Sequence, residues 1–208
     1  MPTEVYLEVG DKRVFACACD WPGWCRSGRT EDAALEALSA YQPRYAIVTE
    51  NAGMRAPSKE LTVVERVKGS ASTSFGVPGA IPDRDAERLT PAQAKRLFAL
   101  VRAAWSVFDE VVAGAPAELR KGPRGGGRDR DKIVDHVYGA EVAYAAALRV
   151  KLQQPERGDA QAVKTFRSAI IEALEKPAAD AKWPTRYAAR RIAWHALDHA
   201  WEIEDRAQ

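Results

Sequence analysis

From residue 90 to the C-terminus, apolar side chains recur four times over with the period of an α-helix, which rules out most folds for that half of the chain. Thr90-Pro91 reads as an N-cap with proline at the first helical position. The run that follows places Leu97, Val101, Ala104, Phe108 and Val111 on one face. A second helix is expected from about Asp129 to Lys151. Gly158 and Asp159 open a third, with the stripe Val163, Phe166, Ile170 and Leu174, and Trp183-Pro184 opens a fourth that runs to the C-terminus. Four amphipathic helices with modest connections each need a partner for the apolar face, and a four-helix bundle satisfies all of them.

The first 67 residues carry a different pattern. Glu4–Val9 and Arg13–Asp20 read as strands joined at Gly10-Asp11, and Trp21-Pro22-Gly23-Trp24 breaks the second, since proline cannot continue a ladder. Cys25–Ser27 reads as a short third strand. Thr30 caps a helix whose first turn holds Glu31 and Asp32, with Ala34, Leu38, Tyr41 and Tyr45 as its stripe. Leu61–Val67 is the last strand. Residues 68–88 carry glycine, proline and serine without periodicity and read as an ordered or semi-ordered linker. The expectation is therefore an α+β chain: a small α/β domain over 1–67, the linker, and a helical bundle over 89–208.

Composition narrows the function classes. A formal net charge of +2 over 208 residues gives no electrostatic footprint for nucleic acid, so that partner is disfavoured. No stretch approaches the roughly 20 apolar residues of a membrane helix, and the start has no apolar leader. Three cysteines, an odd number in a chain long enough to build a core, fit a reducing cytoplasm. Cys17 and Cys19 share one strand face, and without a fourth ligand they read, with Cys25, as reduced and mostly buried thiols rather than a metal site. Trp21 and Trp24 read as core or interface anchors.

The three histidines carry the sharpest signal. His195 and His199 are four apart on the last helix, so their Cβ atoms lie about 6 Å from each other on one face. His136 lies on the second bundle helix, on a face it shares with Ile133, Ala140, Ala143 and Ala147. That face reads as inward, with the alanines leaving room beside the imidazole. Three neutral nitrogens with a fourth position open are the arrangement of a catalytic rather than a structural zinc site. Glu202 and Asp198 are the carboxylates placed for acid/base or supporting work, while Asp135 reads as a solvated flank.

A histidine on the second bundle helix followed by HxxxH on the last resembles the DinB/YfiT-like proteins, over about residues 88 to 206. The resemblance implies a four-helix bundle that binds zinc or nickel through His136, His195 and His199. Some members are S-transferases using a low-molecular-weight thiol such as mycothiol or bacillithiol, and others are described as hydrolases or isomerases. At the other end, CDWPGWCRSGRTEDAALEAL resembles the HicB-like pattern through Asp20, Pro22, Gly23, Gly28, Thr30, Ala34 and Leu35. That resemblance implies an accessory or recognition module.

The glycine-rich basic loop Arg120–Arg128 leads into the N-terminus of the helix bearing His136, where anions are favoured. Arg124 and Arg128 are its candidates for holding a small carboxylate or phosphate; the competing reading is a solvated connection. Two functions follow. The first is a metal-dependent transferase or hydrolase acting on a small anionic molecule. The second is a non-catalytic regulatory or interaction protein that uses its N-terminal module. Whether the chain is an enzyme, and whether it forms a homodimer, stay open from sequence.

Overall fold

Period-two alternation in the first strands sets the sheet. In the computed structural model, which describes residues 1–122 and 126–207, β1 (Thr3–Val9) and β2 (Val14–Ala18) form an antiparallel hairpin with Val5 opposite Ala18 and Val9 opposite Val14. Gly10 N–H donates to Arg13 O at 2.9 Å and closes the turn. β3 (Cys25–Gly28) pairs antiparallel with β2, and β4 (Leu61–Lys68) returns parallel to β1, giving the order β3-β2-β1-β4. Parallel pairing needs a long crossover, and two helices provide it.

The sequence expectation of one helix through Tyr41 and Tyr45 is corrected here. α1 (Glu31–Ala40) ends at Tyr41, and α2 (Gln42–Asn51) starts immediately after it. Pro43 is the cause: it lacks an N–H and clashes with the preceding turn inside a helix, but fits the first turn of a new one. Thr30 caps α1 as expected, accepting from Ala33 N–H.

Both sheet faces are covered. Val5, Leu7, Val14 and Ala16 face the main core with Leu38, Tyr45 and Val48 of the two helices. Tyr6, Phe15, Cys17 and Cys25 face the other way and meet Trp194 of the last helix, edge-to-face with Phe15 at 6.3 Å. Trp24 is fully buried, stacked on Tyr45 at 5.6 Å, and its indole N–H donates to Leu38 O. Trp21 lies under the Arg96 guanidinium at 4.0 Å. Both tryptophans are thus packing anchors.

Residues 68–88 contain a short helix, α3 (Ala71–Phe75), and a 3-10 turn at Asp83–Ala86. Two buried polar contacts dock this stretch. The Glu8 carboxylate, projecting from β1, accepts from Thr73 Oγ1 and from the N–H groups of Gly79 and Ala80. Asp85 pairs with the buried Arg190, which also donates to Tyr6 Oη. Such a pair adds little net stability, yet losing one partner typically costs about 3–5 kcal/mol. These contacts therefore fix where the segment sits.

The four expected long helices are α4 (Pro91–Gly114), α5 (Arg130–Ala147), α6 (Ala160–Glu175) and α7 (Thr185–Arg206). Thr90 and Gln93 form a reciprocal capping box on α4, and Asp159 caps α6 by accepting from Ala162 N–H at 2.8 Å. α7 packs along α4, α5 and α6. Its small residues Ala189, Ala193, Ala196 and Ala200 are all buried and permit that close approach. Among the described residues, no helix is long and apolar enough to cross a membrane.

Candidate metal centre

The Trp21–Trp24 turn packs directly against α7. Gly23 has φ +91°, and a Cβ there would lie 2.6 Å from Leu197 Cδ1 and 3.1 Å from the Ala193 backbone. Only glycine fits both the left-handed backbone and that gap. The Trp-Pro-Gly-Trp turn therefore seats α7 where His195 and His199 face α5.

The three expected histidines come together. One ligand atom from each of His136, His195 and His199 lies within 4.8 Å of the others. His195 Nε2 is 3.3 Å from His136 Nε2, and the ring centroids are 4.6 Å apart for His195 and His199 and 5.0 Å apart for each with His136. Among the described residues, this is the one cluster of three histidine, cysteine or acidic ligands close enough to share an ion. His195 is buried, while His136 and His199 are partly buried, the His199 side chain with only 12% of its surface exposed. The face of α5 around His136 is only partly inward: Ile133 and Ala147 are buried, but Ala143 is exposed, a correction to the sequence expectation. The centre thus lies between α5 and α7, partly reached by solvent at His136 and His199.

The protonation chemistry suits a cation ligand set. Burial, followed by the neighbouring His199, lowers the pKa of His136. Burial lowers His195 well below its ordinary value, and His199, His136, Arg191 and Arg128 push the same way. Both imidazoles are thereby held neutral, with lone pairs available. His199 Nδ1–H donates to Glu202 Oε2 at 2.7 Å, which leaves its Nε2 free for a ligand role. That hydrogen bond, together with Arg206, holds the Glu202 carboxyl below its ordinary range.

Glu202 therefore holds the His199 ring, on the side of α7 where the helical spacing placed it. Asp198 does not join it: its Oδ1 accepts from Arg26 Nη1 of β3 at 2.9 Å. Asp135 pairs with Arg157 at 2.8 Å, the flank role expected of it. Arg128 is exposed, and its charge reaches both His136 and His195. Arg124 lies outside the described residues. The start of the loop is docked on the end of α7, with Arg120 N–H donating to Arg206 O and Arg206 Nε–H donating to Arg120 O, both at 2.9 Å. Gly127 has φ +118°, and a Cβ there would come within 2.7 Å of Arg206 Nη2. A contact chain thus runs from the loop through Arg206 and Glu202 to His199.

Three neighbours were not singled out from sequence. Arg206 donates to Glu202, and Arg191 donates to Tyr144 Oη, whose ring lies 5.8 Å from that of His195. Arg191 and Arg206 stand four residues from His195 and Glu202, so the helical spacing that found the histidines also reaches them. The cysteines are apart from this centre. Burial pushes Cys19 up to about 12 and Cys25 well above its ordinary value, so both stay as thiols.

No protein-family model, curated protein or solved structure matches this chain.

Proposed function

We propose that the chain binds one divalent metal through His136, His195 and His199 and uses it on a small anionic substrate, in a thiol-transfer or hydrolytic reaction. The observation that carries this is the convergence of three nitrogens from two helices within 4.8 Å, at a site that solvent partly reaches. Zinc and nickel are the ions favoured by an all-imidazole set near neutral pH. A bound ion supplies Lewis acidity at an open coordination position.

The chain's own residues do the rest. Burial keeps His195 neutral, Glu202 orients the His199 ring, and Arg206 anchors Glu202 in turn. The Arg128 charge, which reaches His136 and His195, favours an anion such as a thiol-bearing carboxylate. The resemblance to DinB/YfiT-like proteins agrees with this reading. The α/β part of the chain would serve as an accessory module, as its HicB-like pattern implies.

Cobalt substitution tests both halves of the proposal. The protein should take up about one equivalent of Co²⁺ with a four- or five-coordinate visible spectrum, and a low-molecular-weight thiol should add a thiolate-to-cobalt band. Failure to bind the ion would overturn the metal centre. Uptake of the ion without any thiol band would leave hydrolysis as the reaction.

A further inference from the structure

On the far side of α5 from His136 lies a second concavity that the metal centre does not use. A cavity of about 700 Å³ runs between α4 and α6 and reaches Tyr138 of α5, a volume typical of small-molecule sites. Its lining extends along α4 from Arg102 to Ala113, about 16 Å at the rise of an α-helix. Trp105, Val112, Val163 and Ile171 supply apolar wall.

The polar groups there are unevenly matched. Arg167 is about nine-tenths buried, and its guanidinium carbon lies 5.2 Å from the Trp105 ring centroid and 5.8 Å from that of Tyr138. Its Nη1 donates to Asp109 at 2.6 Å, but Nε and Nη2 have no hydrogen-bond partner. Glu141 lies beneath, fully buried, with Oε1 accepting from Trp105 Nε1 at 2.5 Å and Oε2 unpartnered, 4.0 Å from Arg167 Nε. At the rim, Arg102 reaches Glu175 only at 4.0 Å. Lys164 has no carboxylate within ion-pair distance among the described residues. Asp109 is set against Arg167, with Glu141 buried beneath it, and Glu175 against Arg102; Lys164 is the rim cation left without a carboxylate in ion-pair distance among the described residues, beside an apolar trough.

We propose that this cavity binds a small amphipathic monocarboxylate, its apolar body along Trp105, Val163 and Ile171 and its carboxylate on Lys164. The one unpaired rim cation, Lys164, matches a single carboxylate, and the elongated apolar wall selects an extended hydrocarbon body over a compact polar metabolite. Glu141 is five residues beyond His136 on α5, about 140° around the helix, so this ligand does not compete for the metal.

Decanoate is the probe, titrated calorimetrically into the full chain. One saturable site is expected, with 1-decanol binding about tenfold more weakly for want of the charge. Lys164→Glu should weaken decanoate by at least about tenfold, and Ala113→Trp should block it by filling the trough. His199→Ala should leave decanoate affinity unchanged. No saturable binding, or equal affinity for decanoate and decanol, would overturn the proposal. Loss of binding in His199→Ala would assign the carboxylate to the metal instead. If sedimentation shows a dimer that Ala113→Trp dissociates, the trough is covered by a second copy of the chain and the proposal falls.

Discussion

His199 donates from Nδ1 to Glu202 Oε2 at 2.7 Å, and the same carboxylate accepts from Arg206 Nη1 at 2.6 Å through its other oxygen. A carboxylate held at both ends fixes the imidazole tautomer and ring angle, as supporting groups around metal sites commonly do. Glu202→Gln should therefore lower metal affinity by about 10- to 100-fold while leaving the fold intact. Competition against a zinc chelator measures this, and unchanged affinity would remove Glu202 from the centre.

Removing a ligand should be more drastic for the metal than for the protein. His199 is not part of the hydrophobic core, which the apolar faces of α4 to α7 form without it. His199→Ala is expected to lose stoichiometric metal yet keep its helical circular-dichroism signal, because catalytic-type sites are seldom the main source of stability. Global unfolding of the variant would assign the metal a structural role.

Metal occupancy should also follow the histidine protonation. His136 and His195 both have lowered pKa values, so they stay neutral at and somewhat below their ordinary value of 6.5. Protons then compete with the metal only at lower pH, and occupancy should hold through pH 6.5 and fall on further acidification. Dialysis against buffers of stepped pH, followed by elemental analysis, checks the direction. Metal loss that begins above pH 7 would contradict the shifts.

Residues bound to a short-range pattern were legible in the sequence, and residues bound to distant partners were not. The i, i+4 spacing of His195 and His199 brought out two of the three histidines that converge, and the periodic stripes and the Thr90 and Asp159 caps located the long helices. The split at Tyr41 was missed because the stripe continues through it, although Pro43 marks the break. Glu8 sits in a strand as an ordinary alternating polar residue. Only the fold shows it buried against Thr73, 65 positions away. Arg190 likewise reads as one more charge on α7, yet it pairs with Asp85 at a separation of 105. Asp198 shows the same limit: its place on the wheel suited the centre, and only the fold shows Arg26 of β3 on its carboxylate. Cross-chain polar pairs have no periodicity to read.

Glu141 makes the remaining prediction, which concerns stability rather than metal. Burial pushes its carboxyl from the ordinary 4.5 up to about 7, opposed by the charge of Arg167 and the Trp105 hydrogen bond. The folded protein thus holds this proton more tightly than the unfolded chain does. The resulting contribution is fully present below pH 4.5 and is lost as pH rises through about 7. A shift of this size corresponds to about 3 kcal/mol across the window. Glu141→Gln keeps a side-chain oxygen for Trp105 Nε1 and carries no titrating group, so its stability should fall less between pH 5 and pH 8 than the wild type's does. Urea denaturation midpoints of both proteins at pH 5, 6, 7 and 8 isolate the difference, since every other titrating group is shared. Parallel curves would mean that Glu141 is already ionised in the fold, with Arg167 as its full counter-charge.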